Sequence, residues 1–80
     1  MFPYAKLPAI RSFCLARLEA AHHAGEAEAP ELRARLENAV HALRALEPDT
    51  WWQAEEDIRD IAVRFATDPD YPALGLTGRA

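Results

Sequence analysis

Two histidines and three glutamates are close together in the sequence: His22, His23, Glu26, Glu28 and Glu31. Imidazole nitrogens and carboxylate oxygens are ligands that zinc accepts. Their spacing does not suit a single metal ion, because adjacent residues on a helix point about 100° apart and one chelating face cannot use both histidines. Histidines in a last helical turn also interact favourably with the helix dipole, which explains them without a metal. We therefore expect no metal site and no other cofactor.

The chain offers no nucleophile with an activating partner. Cys14 is the single cysteine and lies in an apolar helical pattern, while the nearest histidines, His22 and His23, follow two turns later. A buried thiol without a nearby base is not expected to react. The sequence also lacks a glycine-rich phosphate loop, and a chain of this length leaves little room for a substrate pocket. We expect a protein without enzymatic activity.

Negative charge is concentrated in the second half of the chain. Residues 47–70 contain eight acidic residues and two arginines, whereas residues 1–46 contain five acidic residues and six basic ones. A surface of this sign repels phosphates and attracts basic protein surfaces. The charge therefore favours a protein partner with a basic surface. The alternative is a solvated helix face whose role is to keep a small protein soluble.

Helical spacing pairs some of these charges within one segment. Glu55 precedes Arg59 by four residues and Asp60 precedes Arg64 by four, so both pairs are expected to be compensated. Such pairs argue against carboxylate catalysis. Glu56 faces Asp60 one turn on, and this like-charge pair costs about 0.2–0.5 kcal/mol. A basic partner would relieve that repulsion.

Trp52 is the aromatic residue that an internal core explains least well. It is rotated about 100° from the apolar stripe that contains Trp51, and it shares a flank with Glu55, Arg59 and Val63. A surface tryptophan beside an arginine is typical of interface hot spots, whereas the alternative is packing across one end of a helix bundle. On the first interpretation, the sequence predicts a partner-binding surface formed by Trp52, Glu55, Glu56, Asp57, Arg59 and Asp60.

Three segments have the periodicity of amphipathic helices, at about 7–24, 30–46 and 51–67. The third is the most completely specified. Thr50, followed three residues later by Gln53, predicts a capping box at its start. Its apolar stripe consists of Trp51, Ala54, Ile58, Ile61, Ala62 and Phe65. Such a stripe must be buried against other helices.

The second helix has its own charge pattern. Glu31 precedes Arg35 by four residues, and Arg33 precedes Glu37 by four. Pairs at this spacing stabilise a helix by about 0.2–0.5 kcal/mol each. The sequence therefore predicts two ion pairs within this helix, on a side that faces water.

Short links join the three segments, so consecutive helices should be antiparallel neighbours. The expected architecture is all-α: an up-down-up three-helix bundle that forms one domain over residues 1–80. A short N-terminal leader precedes it and an irregular C-terminal tail, from Asp68 onward, follows. We expect Tyr71, Leu74 and Leu76 of the tail to pack back across one end of the bundle or to reach a partner.

The sequence favours a small non-enzymatic protein-binding module, a regulator or inhibitor that docks an acidic helix on a basic protein surface. Immunity proteins, antitoxins and phage-encoded blockers of nucleic-acid machinery such as anti-CRISPR proteins form a functional class of this kind. The alternative is a helix-turn-helix DNA-binding protein or a structural subunit of a larger complex. A recognition helix needs basic and amide side chains, however, and the third helix carries Glu56, Asp57 and Asp60. Nucleic acid is therefore a disfavoured partner.

Chain length and hydropathy bear on association and location. A core of this size usually leaves only about 3–5 kcal/mol of net stability, so a homodimer is a second expected form of association. No apolar run approaches the roughly 18–20 residues of a membrane span. The first residues also lack the order of a secretion signal. We expect a cytoplasmic protein that makes no membrane contact.

Overall fold

The computed structural model describes residues 2–45 and 48–76. Within these ranges the chain forms three α-helices and no strand. The helices are α1 (Leu7–His23), α2 (Ala29–Arg44) and α3 (Trp51–Ala62). Short 3-10 turns at Tyr4–Lys6, Pro48–Thr50 and Val63–Phe65 flank α1 and α3, and a fourth occupies Tyr71–Leu74. The prediction of an all-α three-helix bundle is confirmed.

Helix α2 lies between the other two in the packing, because α1 and α3 each contact it far more extensively than they contact each other. An ion pair joins Arg11, early in α1, to Glu37, just past the middle of α2. At the other end of α1, Leu18 lines a common cavity with Ala29 of α2. The two helices are therefore antiparallel, as the short link between them requires.

Helix α3 runs antiparallel to α2 and parallel to α1. Arg35 of α2 pairs with Asp57, whereas Glu28, which precedes α2, pairs with Arg64 beyond the end of α3. Near the same end, the Phe65 ring lies 6.3 Å from that of Phe13 in α1. The directions of the three helices are thus up, down and up.

The core consists of the apolar stripes that the sequence predicts. Its largest fully buried side chains are Ile10, Cys14, Leu18, Leu36, Ile58 and Ile61. Ala39, Ala54 and Ala62 are also buried and let the helices approach closely. Trp51 and Phe65 are half-buried at the edge of the core, because they lie at the two ends of the predicted stripe.

Residues 2–6 of the predicted leader and residues 68–76 of the predicted tail are more ordered than their sequences indicate. Phe2 is buried, and a 3-10 turn leads directly from it into α1. The expectation that Tyr71, Leu74 and Leu76 pack back on the bundle is confirmed, since all three are buried in the core. Gly75 has a φ of +74°, a left-handed conformation in which glycine carries no steric penalty, and it turns the chain after the last 3-10 turn.

One arginine, Arg17, holds the chain between α3 and the C-terminal segment that contains Tyr71, Leu74 and Leu76. Arg17 donates two hydrogen bonds of 3.0 Å to the carboxylate of Asp68, and its guanidinium lies 3.9 Å from the centre of the Phe13 ring. A backbone N–H from Asp70, together with Arg17, holds the pKa of Asp68 below its usual value. The segment therefore leaves α3 in a fixed direction, towards α1.

Two sequence expectations about the third helix need correction, and two others lie outside the described residues. The predicted capping box is wrong: Thr50 makes no side-chain capping bond, because it ends a 3-10 turn in near-helical geometry, and Gln53 donates to Asp57 instead. The third helix ends at Ala62 rather than at 67, after which the chain tightens into a 3-10 turn. The expected end of the second helix at 46, and residues 77–80 of the expected tail, lie outside the described residues.

Across residues 2–45 and 48–76, none of the helices combines the length and the hydropathy that crossing a membrane requires.

Cys14 provides a test of the core. Its side chain is fully buried, and this burial raises the pKa of the thiol to about 11, although Arg17 acts in the opposite direction. Since the thiolate is the nucleophile, alkylation by iodoacetamide at pH 8 should be about 100-fold slower in the folded chain than in the chain unfolded by guanidinium. Mass spectrometry of timed samples measures both rates. Equal rates would contradict the burial of Cys14.

Candidate partner-binding face

Helix α3 and its extension expose two large apolar side chains on one side of the bundle. Trp52 is 66% exposed and Val63 is 54% exposed. Glu56 and Asp60 lie between them at helical spacing, and both are exposed. We refer to Trp52, Glu56, Asp60 and Val63 as the α3 outer face. At 1.5 Å per residue, the face is about 16 Å long.

Glu55 was expected on this surface, but the N-terminal turn engages it. The hydroxyl of Tyr4 donates a hydrogen bond to the Glu55 carboxylate, and Glu55 is half-buried. Desolvation, followed by the hydrogen bond and the charge of Glu55, raises the pKa of Tyr4 to about 12. Glu55 therefore joins the start of the chain to α3.

Asp57 was also expected to meet a partner, but it bridges α2 and α3. Arg35 donates to its carboxylate at 3.0 Å, and Gln53 donates to the same oxygen at 3.2 Å. The predicted pair between Glu31 and Arg35 is consequently not formed, because the guanidinium points across the helix contact instead of along α2.

Arg59 is the third predicted site residue that the fold uses internally. Its guanidinium donates to the backbone carbonyl of Leu76 at 3.1 Å and lies 5.4 Å from the centre of the Phe2 ring. It thus holds the N-terminal and C-terminal segments together on α3. The expected pair with Glu55 is not formed, since both partners are engaged elsewhere.

The predicted pair between Asp60 and Arg64 is likewise replaced by a contact across the bundle. Arg64 pairs with Glu28 at 3.3 Å. Glu56 and Asp60 make no ion pair or hydrogen bond through their carboxylates within the described parts of the chain. The like-charge contact between them, expected from their spacing, is therefore not compensated inside the protein.

The structure thus divides the predicted surface in two. Trp52, Glu56 and Asp60 remain accessible, whereas the other three side chains stabilise the fold. Val63 joins the accessible group, and its spacing of eleven residues from Trp52 is the sequence signal that places it there. A groove of about 250 Å³ runs beside these residues towards Tyr71 and Leu76 of the C-terminal segment.

A second charged surface lies between α1 and α2. Arg11 donates two hydrogen bonds of 2.9 Å to Glu37, so the expected pair of Glu37 with Arg33 is replaced by one that joins two helices. The hydrogen bond with Arg11 is the main reason that the pKa of Glu37 lies below its usual value. The charges of Arg33 and Arg44 act in the same direction, and desolvation opposes them.

The histidine-rich turn between α1 and α2 does not assemble a metal site. His22 and His23 are exposed, and their ring centres are 6.1 Å apart. Within residues 2–45 and 48–76, no group of three or more histidine, cysteine or acidic side chains could hold a metal ion. A cavity of about 320 Å³ lies beside this turn, between Leu18 and the first turn of α2.

Comparisons with protein-family models, curated proteins and solved structures find no significant match to this chain. The function of the chain must therefore be inferred from its own residues.

Proposed function

We propose that this protein is a non-enzymatic binding module that docks its α3 outer face on a basic surface of a partner protein. The observation that carries the proposal is the exposure of Trp52, which is 66% exposed beside the uncompensated Glu56 and Asp60. Tryptophan at the centre of an interface contributes a large apolar area, and carboxylates around it steer a basic partner during approach.

Occupation of a partner surface is the mode of action that suits such a module. It would act as a regulator or inhibitor, in the manner of immunity proteins, antitoxins or phage-encoded blockers of nucleic-acid machinery such as anti-CRISPR proteins. The single buried thiol is compatible with a reducing compartment, and we place the protein in the cytoplasm.

A DNA-binding or purely structural role is the second candidate. The grouping of Arg11, Arg33 and Arg44 around Glu37 favours an anionic ligand. Two other arginines of α1 and α2, Arg17 and Arg35, are held by Asp68 and Asp57. The exposed side of α3 is also acidic, whereas a recognition helix presents basic and amide side chains to DNA. We therefore rank this role second.

In the test, the wild type is used as bait to capture a partner from the host's proteins, and the binding of three variants to that partner is then compared. Trp52→Ala should weaken binding to a captured partner by at least about 2 kcal/mol, or roughly 30-fold, as expected for a hot-spot residue. Glu56→Lys with Asp60→Lys should weaken it further and reduce its dependence on salt. Isothermal titration calorimetry with the purified partner measures both effects.

The matched control reverses two exposed charges outside the α3 outer face, in the link between α1 and α2 and the first turn of α2. Glu26→Lys with Glu31→Lys makes the same change in net charge but leaves the α3 outer face intact. It should retain most of the wild-type affinity. A partner that binds the Trp52 variant and the control equally well would show that this face is not the contact, and the proposal would be abandoned.

A further inference from the structure

The arginines of the chain differ in whether they have a partner inside the protein. Five of the seven described arginines have a partner inside the protein: Arg11, Arg17, Arg35, Arg59 and Arg64. Arg33 and Arg44 are exposed and have no ion pair or hydrogen bond within residues 2–45 and 48–76. Both belong to α2, and eleven residues separate them, so they lie on the same side of the helix.

These two arginines create a local excess of positive charge. They lie on either side of Glu37 along α2, and the single carboxylate of Glu37 is already engaged by Arg11. We refer to Arg11, Arg33 and Arg44 as the basic face. Glu19 of α1 lines a cavity with Arg33, so the face presents three guanidinium groups for two carboxylates, although the chain as a whole carries a net charge of -4.

The basic face and the α3 outer face are complementary in charge and in length. Arg33 and Arg44 span about 16 Å along α2, and Trp52 and Val63 span the same distance along α3. One face has cations that lack partners, and the other has carboxylates that lack them. An arginine can also lie over the exposed ring of Trp52, because the face of an aromatic ring attracts a cation.

The basic face and the α3 outer face of one molecule cannot contact each other. The basic face lies between α1 and α2, where Arg11 reaches Glu37, whereas the α3 outer face borders the groove near Tyr71 and Leu76. A contact between the two faces must therefore join different copies. Such a contact is heterologous and leaves one face of each kind open at the ends of the assembly.

We propose that the basic surface that the α3 outer face binds is the basic face of a second copy of this chain, so that copies associate head to tail. This inference rests on the proposed function, because it names the partner of the same site. The net negative charge opposes association at long range. At about 0.1 M salt, however, the Debye length is near 10 Å, and the local pairs dominate.

Two double variants test the contact, one for each face. Arg33→Glu with Arg44→Glu removes the basic face, and Trp52→Glu with Val63→Glu disrupts the α3 outer face; all four residues are exposed, so both variants should fold. Analytical ultracentrifugation of the wild type should give an average mass that rises with concentration to more than twice the 8.9 kDa monomer mass. Each variant alone should remain at the monomer mass.

Mixing the variants provides the decisive control. Each variant retains the face that the other lacks, so an equimolar mixture should form a single species of twice the monomer mass and nothing larger. A wild type that stays monomeric at every concentration at about 0.1 M salt would overturn the inference. So would association that both variants retain, because a different surface would then be responsible.

The same samples separate this inference from the proposed function. If the wild type is monomeric but a different basic protein binds it through Trp52, the head-to-tail contact fails and the binding module stands. The second candidate role is tested by measuring the binding of a short fluorescent DNA duplex by fluorescence anisotropy. Duplex binding that Arg33→Glu with Arg44→Glu abolishes, in a protein that does not self-associate, would assign the basic face to nucleic acid and overturn the inference.

Discussion

Ile58→Ala is expected to lower the free energy of unfolding by about 2–5 kcal/mol, because it opens a cavity that the surrounding helices can only partly fill. Ile58 is fully buried and belongs to the core that all three helices share. A domain of this size has only about 3–5 kcal/mol of net stability, so the variant should be largely unfolded at moderate temperature. Urea denaturation followed by far-UV circular dichroism measures the change.

Val63→Ala is the matched control for this experiment. It also shortens a β-branched side chain near the end of α3, but Val63 is exposed, and its loss should change the stability by no more than about 0.5 kcal/mol. If Ile58→Ala unfolded at the wild-type urea concentration, α3 would bury a different face, and the assignment of the α3 outer face would fail with it.

The helices and their buried sides could be predicted because they depend on local signals. Apolar residues recur at the helical period, so the full burial of Ile10, Leu36 and Ile58 follows from spacing alone. Pro8 and Pro30 fall in the first turns of α1 and α2, where a missing N–H costs nothing. The short links then leave an antiparallel arrangement as the simplest way to cover three apolar stripes.

The ion pairs could not be predicted from the same spacing. Four ion pairs at a separation of four residues were expected within the predicted second and third helices. In each pair, at least one of the two side chains instead contacts a different element of the fold. Arg35, for example, reaches Asp57 of α3 instead of Glu31. A pair within an exposed helix is worth only a few tenths of a kcal/mol, so a neighbouring helix easily competes for a long arginine side chain.

The candidate site was predicted in part for the same reason. The exposure of Trp52 follows from its angle to the apolar stripe, and that expectation agrees with the structure. The engagement of Glu55 and Arg59 depends on where the two ends of the chain dock. Those ends have no periodic pattern, so their sequence carries little information about direction. Because these side chains are engaged within the fold, fewer residues of the predicted surface are available to a partner.

The C-terminal segment should contribute to stability as strongly as a helix does. Lys6 donates to the backbone carbonyl of Ala73 at 2.9 Å, and Arg59 donates to that of Leu76, so the segment is held from two sides. Its Tyr71 is 6% exposed, and the ring centre lies 6.3 Å from that of Phe13. These contacts make the segment part of the core, although its sequence resembles a tail.

Tyr71→Ala is therefore expected to cost about 3–5 kcal/mol, the range for truncating a buried aromatic residue. Tyr71→Phe keeps the ring and its contact with Phe13, and it should stay within about 1 kcal/mol of the wild type, because the hydroxyl makes no hydrogen bond within the described residues. Chemical denaturation of the three proteins gives both differences. A Tyr71→Ala variant as stable as Tyr71→Phe would mean that the three helices form the core without this segment, and the groove between it and the α3 outer face would then not be a fixed feature of the surface.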